Sequence, residues 1–365
     1  MEVYEKLRAK LDCFPLGCPD QEEMREILRL LFDEDEARLA ASTPNPPLTY
    51  TAAKIADRAG VDRRTAAQRL ARMADKGLIA EIDVLAAKRY MLIPAYPGFI
   101  EMQFMQGQEQ TENRRRAGAL WHSAYSGPFG KEAHGYPTKS MRVVPVRKSI
   151  STGQKVFSYE EAEKIVRDSG IIGVTDCACR KAVHNCDRPL DVCMLFGPAA
   201  KYSIDRNLAT RITAKQAVKT LQKADDAGLV HMASNSKPPV TIICNCCTCC
   251  CSSLKGLTVL HNPVSTMACN FVSGVVNASS CKLCEMCVKV CPMHALTIED
   301  DQIVVDQEKC LGCGLCVHKC KTHTLALKRR SNKTPEPSGL RLMAKMLQER
   351  DKLPRIFENI PRDLL

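Results

Sequence analysis

Long apolar runs are missing from this 365-residue chain. No stretch approaches the roughly 18 consecutive apolar residues that mark a transmembrane helix. A secretion signal is missing as well, because Met1–Lys10 is charged and has no apolar centre. No GxGxxG follows a strand-like run and no GxxxxGKS/T occurs, which excludes recognisable nicotinamide, flavin and nucleotide sites. His184, His261 and His294 stand alone and read as structural, so no paired base and nucleophile can be assembled.

What is abundant is cysteine, with twenty-one residues. In a small secreted protein that number would mean disulfides. Here the missing signal points to a reducing cytoplasm, and metal-ligating thiolates are the simpler account. Low-potential centres would also suit an anaerobic setting. The length allows two or three domains with cores of their own.

Eight cysteines fall into two copies of one spacing, Cys281-x2-Cys284-x2-Cys287-x3-Cys291 and Cys310-x2-Cys313-x2-Cys316-x3-Cys320, offset by 29 residues. The copies agree beyond the cysteines: Cys291-Pro-Met-His-Ala-Leu-Thr-Ile aligns with Cys320-Lys-Thr-His-Thr-Leu-Ala-Leu. Zinc sites use CxxC pairs separated by longer loops, so steps of three in duplicate fit zinc poorly. Three close cysteines can cap one face of a cubane but cannot encircle it. Each run predicts a tight loop, a short helical turn and a strand. A hairpin is expected over Ala295–Asp306, turning at Glu299–Gln302.

The stretch Ser279–Arg329 resembles a two-cluster bacterial ferredoxin domain. The resemblance implies two 4Fe–4S clusters, with the fourth ligand exchanged between the repeats. Cys281, Cys284, Cys287 and Cys320 would hold one cluster, and Cys310, Cys313, Cys316 and Cys291 the other. One departure is Lys321, which stands where the first run has Pro292; its charge beside a cluster would shift the potential. Cluster charge also changes the reading of the formal net charge of +11. A cubane with four thiolates carries about −2, so two clusters lower the total to about +7 and four to about +3. The basic excess is then weak support for nucleic acid.

A second cysteine system lies upstream. Cys177, Cys179, Cys186 and Cys193 follow a C-x-C-x6-C-x6-C spacing, with Arg180 placed to donate hydrogen bonds to cluster sulfurs. Their number suits one cubane; buried free thiols are the alternative. Six more, Cys244, Cys246, Cys247, Cys249, Cys250 and Cys251, crowd into eight residues. Neighbouring side chains in extended backbone point to opposite faces. The run would therefore serve two metal centres, or one centre plus exchangeable thiols; a cubane, a non-cubane cluster and zinc all satisfy it. With the ferredoxin pair, these groups predict one or two additional iron–sulfur clusters. Strands over Ile171–Asp176 and Val240–Ile243 end at Cys177 and Cys244, and parallel strand ends would bring both groups to one sheet edge. A helix over Thr213–Ala227 lies between them, capped by Thr213 and Gln216 and stopped by Gly228. Leu229–Met232 and Val240–Ile243 would pair across Asn235–Pro239. Cys13, Cys18 and Cys269 read as ordinary thiols.

From about Arg142 to Arg329 the chain resembles a group of cytoplasmic 4Fe–4S-binding proteins. These join a CxCR…C…C segment, a CNCCxCCC run and a C-terminal ferredoxin domain. The resemblance implies electron transfer and names no reductase.

In the N-terminal half, Asp20–Ala41 has helical apolar spacing at Ile27, Leu28, Leu31 and Leu39, and Pro44–Pro47 ends it. Thr51–Arg58 and Arg63–Lys76 predict a helix–turn–helix, with Asp62 capping the second helix. Gly77–Ile79 and Lys88–Ile93 predict a hairpin after it. The succession is similar to winged-helix domains. Arg63, Arg64, Gln68, Arg69 and Arg72 lie on the polar face of the second helix, where arginine can read guanine or clamp phosphate. The other reading is a solvated face used for protein contacts or a homodimer, since Asp57, Asp62, Asp75, Glu81 and Asp83 dilute the positive charge. Phe99–Ala117 predicts a helix and Trp121–Ser151, rich in Gly, Pro and Ser, an extended arm. Ser158 and Glu161 predict a capped helix to Arg167. A tail helix is expected over Gly339–Arg350, with residues 354–365 free to dock on another chain.

The expected fold is α+β and multidomain: a helical segment 1–42, a winged-helix unit 43–105, an arm 106–150, a cysteine-rich domain 151–270, a ferredoxin domain 271–330 and a helical tail 331–365. The expected function is a soluble electron carrier for a partner reductase, dehydrogenase or ferredoxin-linked complex, rather than a self-contained enzyme. Two alternatives stand beside it. One is a redox sensor that binds DNA through the winged helix; the other is a reductase with its own centre at Cys244–Cys251.

Overall fold

The computed structural model describes residues 2–46, 48–146, 149–150, 156, 160–261 and 268–353. The expected Ser158 cap and the end of the tail, 354–365, lie outside the described residues. Helices and strands are mixed throughout, which fits the α+β class.

The chain opens with helices Val3–Leu11, Glu22–Leu31 and Glu34–Ser42. The single helix expected over Asp20–Ala41 is two. Phe32 is extended, and Asp33 restarts the helix through a reciprocal capping box with Glu36, which satisfies the first unpaired N–H groups. Helices Ala52–Ala59 and Arg63–Asp75 follow, capped by Thr51 and Asp62 and separated by left-handed Gly60. β1 (Ala80–Val84) and β2 (Ala87–Met91) then pair as a hairpin.

The first half of the stretch expected as an extended arm is mostly helical, in helices Glu112–Tyr125 and Pro128–Gly135. Its Gly and Pro mark a boundary: Gly127 precedes the second helix and Pro128 opens it, where the missing N–H has no intrahelical partner anyway. The helix expected over Phe99–Ala117 is interrupted between Met102 and Glu112. Trp121, Tyr125 and Phe129 pack on one another, and Tyr96 stacks on the first two. These rings join Leu7, Ile27 and Leu70 in one apolar core, together with Leu342 and Met346 of the C-terminal helix Gly339–Glu349. The segments expected as 1–42, 43–105 and 106–150 thus share a core with the tail.

The middle of the chain forms a six-stranded antiparallel sheet. Its order is β3 (Met141–Val143), β7 (Val230–Ser234), β8 (Ile242–Cys246), β5 (Cys193–Phe196), β4 (Ile172–Thr175), β6 (Thr210–Arg211). Alternate residues of β5 serve opposite faces. Met194 and Phe196 join Ile165, Val166 and Leu221 from helices Ala162–Arg167 and Ala214–Asp226. Leu195 meets Ala200 and Leu208 on the other side. β4 and β8 both run antiparallel to β5. They are therefore parallel to each other and end on the same sheet edge, where β5 begins.

β9 (Phe271–Val275) pairs with β12 (Leu325–Arg329), and β10 (Leu296–Glu299) with β11 (Gln302–Val305). Asp300 and Asp301 turn the second hairpin, both with positive φ, as a two-residue type I′ loop requires. No helix among the described residues is long and apolar enough to cross a membrane.

Candidate metal centres

The two spaced cysteine runs fold into matching loops followed by short helices, Met286–Val290 and Leu315–Lys319, which pack together. Each loop has two left-handed residues: Leu283 and Glu285 in the first, Gly312 and Gly314 in the second. Only the second needs glycine. A Cβ on Gly312 would lie 2.1 Å from the Phe271 carbonyl oxygen, and one on Gly314 would lie 2.7 Å from Ser149 Cβ. The first loop faces solvent at Cys284 and Glu285, so side chains fit there despite the left-handed strain.

Cysteines of the two repeats come together in space. Burial raises the Cys287 thiol, and the charges of Cys320 and Cys281 add to the rise. Cys291, Cys310, Cys313 and Cys316 line one cavity together with Ser273, Gly312 and Leu327. Donors around these sulfurs suit thiolates. The Ser273 N–H donates to Cys310 Sγ at 3.3 Å, and its hydroxyl lies 3.3 Å from Cys316 Sγ. The N–H of Gly312 reaches Cys310 Sγ at 3.4 Å, and that of Ala295 reaches Cys291 Sγ at 3.3 Å. A thiol-lined cavity with N–H groups directed at its sulfurs fits an anionic iron–sulfur core. Cys269 is a supporting residue: its thiol donates to the carbonyls of Phe271 and Leu311, and burial raises it to about 11.

The two sets differ in exposure. In one set Cys284 is exposed, Cys281 and Cys320 are half-buried and only Cys287 is buried; in the other Cys291, Cys310 and Cys316 are buried and only Cys313 is half-buried. The inner loop is tied to the sheet. The Val146 N–H donates to the Cys313 carbonyl at 3.0 Å, and the Ser149 hydroxyl to the Gly314 carbonyl at 2.8 Å. Leu311, Leu315 and Cys313 share an apolar cluster with Val143, Met232, Cys244, Cys246 and Cys251.

At the sheet edge, Cys177 follows β4, Cys193 opens β5, and Cys244 and Cys246 end β8. The thiols form a string of close neighbours that shift one another's titration: Cys177 with Cys193, Cys193 with Cys244, Cys244 with Cys246, Cys246 with Cys251, and Cys251 with Cys179. Thiolate character gathers at two members of this string. Hydrogen bonds from Cys193 and Cys246 lower Cys244 to about 6 against the effect of burial. Those from Cys179 and Cys246 hold Cys251 well below the usual thiol range.

Cys186 does not join the quartet expected with Cys177, Cys179 and Cys193. Its sulfur lies 3.9 Å from both Cys247 Sγ and Cys250 Sγ, and Cys249 Sγ is 3.8 Å from Cys250 Sγ. All four sulfurs lie within 4.8 Å of one another. Two local features cause this. Helix Ala178–Val183 ends at left-handed His184, which turns the chain before Cys186. Alternation past β8 then separates Cys247 from Cys246: Cys246 and Cys251 belong to one apolar cluster, Cys247 and Cys250 to another.

Arg180, 1 % exposed, stands between the string and the tetrad. Its Nη1 donates to the Asn245 carbonyl at 3.0 Å and to Cys247 Sγ at 3.7 Å, and its Nε to the Pro189 carbonyl at 3.0 Å. Its Nη2 is buried with no partner among the described residues. An unpaired buried donor beside thiolates suits an anionic centre. The hydrogen bond from Cys250 lowers the Cys247 thiol most, burial opposes it, and Arg180 adds to the fall, leaving it at about 4.

Some supporting residues have no signature in the sequence pattern. Asn245, fully buried, bonds the Val192 carbonyl through Nδ2 and His231 Nδ1 through Oδ1. His231 Nε2 in turn lies 2.8 Å from Asp225. This chain of polar contacts locks β8 beside the strand that begins at Cys193. Tyr96, Glu101 and Tyr125 surround Cys179 and Cys251 closely enough to feel their charge. Burial raises Glu101 to about 8, and the Tyr125 hydroxyl lies 2.7 Å from His134 Nε2. On the helix after Asp62, Arg63 pairs with Asp57 at 2.9 Å, and Arg69 pairs with Asp33 at 3.0 Å and Asp35 at 2.9 Å.

A family model for a 4Fe-4S dicluster domain matches residues 273–321. All eight cysteines of the duplicated runs fall inside that stretch. No curated protein and no solved structure matches the chain. The dicluster domain makes this an iron–sulfur protein, and the tetrad adds a thiol group able to hold a metal.

Proposed function

We propose that the chain is an electron carrier that exchanges single electrons between a partner oxidoreductase and its own cysteine-rich edge. The observation that carries this reading is the contrast within the dicluster domain: one set of four cysteines has a single buried member, Cys287, whereas the other has three and packs against the sheet that bears the upstream cysteines. When bound, a 4Fe–4S cluster supplies a one-electron site. The protein's part is placement and insulation. Cys281, Cys284, Cys287 and Cys320 would hold the outer site, where Met286 is exposed and offers a partner an apolar contact. Lys282 and Lys321 are exposed beside Cys281 and Cys320 and would steer an acidic partner face. Cys291, Cys310, Cys313 and Cys316 would hold the inner site, shielded by Leu311, Leu315 and Leu327. The string from Cys177 to Cys251 would hold a further centre against the same apolar cluster. Film voltammetry of the full chain tests the reading. Reversible one-electron waves at low potential are expected; a film with no reversible wave would contradict it.

A second reading is a cluster-linked transcriptional sensor, favoured by the succession of two helices and a hairpin over residues 52–91, the order expected of a winged helix. Two of its arginines weigh against DNA, because Arg63 and Arg69 are already paired with the surface acids Asp57, Asp33 and Asp35. The unit is instead docked on the cysteine-bearing domain. The Tyr202 hydroxyl donates to the carbonyls of Ala74 and Ile79 at 2.9 and 2.8 Å, and Arg206 pairs with Glu81 at 2.9 Å. Duplex binding that falls steeply with salt and changes with oxidation state would favour the sensor over the carrier.

A further inference from the structure

The geometry points to a mononuclear tetrathiolate site, a single thiophilic divalent ion held by Cys186, Cys247, Cys249 and Cys250 and separate from every iron–sulfur cluster of the chain. This inference is independent of the electron-carrier reading.

Distance is the first argument. A zinc–thiolate bond is about 2.3 Å, so four sulfurs in a tetrahedron around one such ion stand about 3.8 Å apart. Three of the six separations are 3.9, 3.9 and 3.8 Å, and all six are within 4.8 Å. In a cubane each thiolate binds a different iron, which holds the four sulfurs farther apart. The same chain shows the difference. Among the described residues, no three sulfurs of the ferredoxin runs, and no three of the sheet-edge string, lie within 4.8 Å of one another as the tetrad does.

Charge is the second argument. Four thiolates around a divalent ion leave about −2. Two guanidinium groups meet this charge: Arg180 Nη1 donates to Cys247 Sγ at 3.7 Å, and Arg188 Nη1 to Cys249 Sγ at 3.9 Å. Asn185 adds a bond from Nδ2 to the Cys249 carbonyl at 3.5 Å, pinning the two loops together. Loading the ion releases one proton from each thiol that enters as thiolate, with no change of oxidation state. Four protein ligands close the coordination shell, as in structural sites that leave no position for water or substrate.

The site acts as a clip. It joins the loop after the Cys177–Cys179 pair to the loop after β8, and Arg180 connects it to the string of six. Zinc there is purely structural, whereas iron in the same tetrathiolate is also a one-electron site; both share this ligand chemistry.

The test uses the full chain, prepared anaerobically as wild type, Cys186→Ser and Cys249→Ser, with zinc, iron and acid-labile sulfide measured per chain. Wild type is expected to carry either a single zinc or a single iron in excess of sulfide. Each variant should lose that ion alone and keep its sulfide. The paramagnetic signal of the reduced dicluster domain should persist in both, which reports an intact fold. Equal loss of iron and sulfide would assign a cluster to these cysteines and overturn the inference. Wild type alone is also decisive: iron equal to sulfide with no zinc would mean that the site does not exist.

Discussion

Cys186 Sγ and Cys247 Sγ lie 3.9 Å apart although 61 positions separate them in the chain. The contact divides the ten upstream cysteines into a string of six and a tetrad. Each has its own apolar surroundings, and Arg180 lies between them. The division predicts different losses. Cys179→Ser, in the string, should remove iron together with matching sulfide and leave the tetrad's ion in place. Full retention of iron and sulfide in that variant would show that the string holds no cluster.

Left-handed residues in the two ferredoxin loops should respond in opposite ways. Gly314→Ala drives a Cβ against Ser149 and should cost the inner set its cluster, seen as a drop in iron and sulfide after purification. Glu285→Gly sits in the exposed loop with φ of 59°. It should keep its iron and change stability by no more than about 2 kcal/mol, the upper scale of left-handed strain. Equal iron loss in the two variants would contradict the assignment of inner and outer loops.

The Asn245 lock should be costly to open. Asn245→Ala leaves the Val192 carbonyl and His231 buried without their partner. At about 1–3 kcal/mol for each group left unpaired, the loss should reach about 2–6 kcal/mol. Anaerobic denaturant unfolding measures it; a loss under about 1 kcal/mol would mean that the network does not hold β8 in place.

Acid should loosen the docking of the N-terminal hairpin. Burial acts to raise the Glu81 carboxyl, but bonds from Lys88 and Tyr90 and the charge of Arg206 outweigh it and hold it below its ordinary value of 4.5. The folded state therefore binds this proton less tightly than the unfolded state. The carboxylate's contribution is complete above the ordinary value and is lost as pH falls through the depressed one. Glu81→Gln should unfold at a lower temperature than wild type near neutral pH, with the gap closing as pH falls. A gap that stays constant with pH would contradict this.

The parts of the fold that follow from neighbours in sequence were legible before the structure. The duplicated runs, the Asp62 cap, the Thr213–Gln216 capping box and the β7–β8 hairpin are all set by residues a few positions apart. The tetrad was not legible, because Cys186 reaches Cys247 only through the turn at His184 and the end of β8. Trp121, Tyr125 and Phe129 were hidden among Gly and Pro, which read as an arm until Pro128 is seen opening a helix. His231 and Asn245 gave no pattern, since a buried polar pair on adjacent strands has no periodicity of its own. The break at Phe32–Asp33 was readable in principle: Asp33 and Glu36 have capping-box spacing inside an otherwise continuous apolar stripe.

The most direct test of the central claim is the iron and sulfide content of the anaerobically purified full chain, read with electron paramagnetic resonance before and after reduction. The account predicts at least about eight iron and eight sulfide per chain from the dicluster domain, with signals of two interacting clusters on reduction. Cys284→Ser should lose about four of each, the content of one cluster. Zinc in place of iron at the duplicated runs, or a chain that shows no reducible cluster signal, would contradict it.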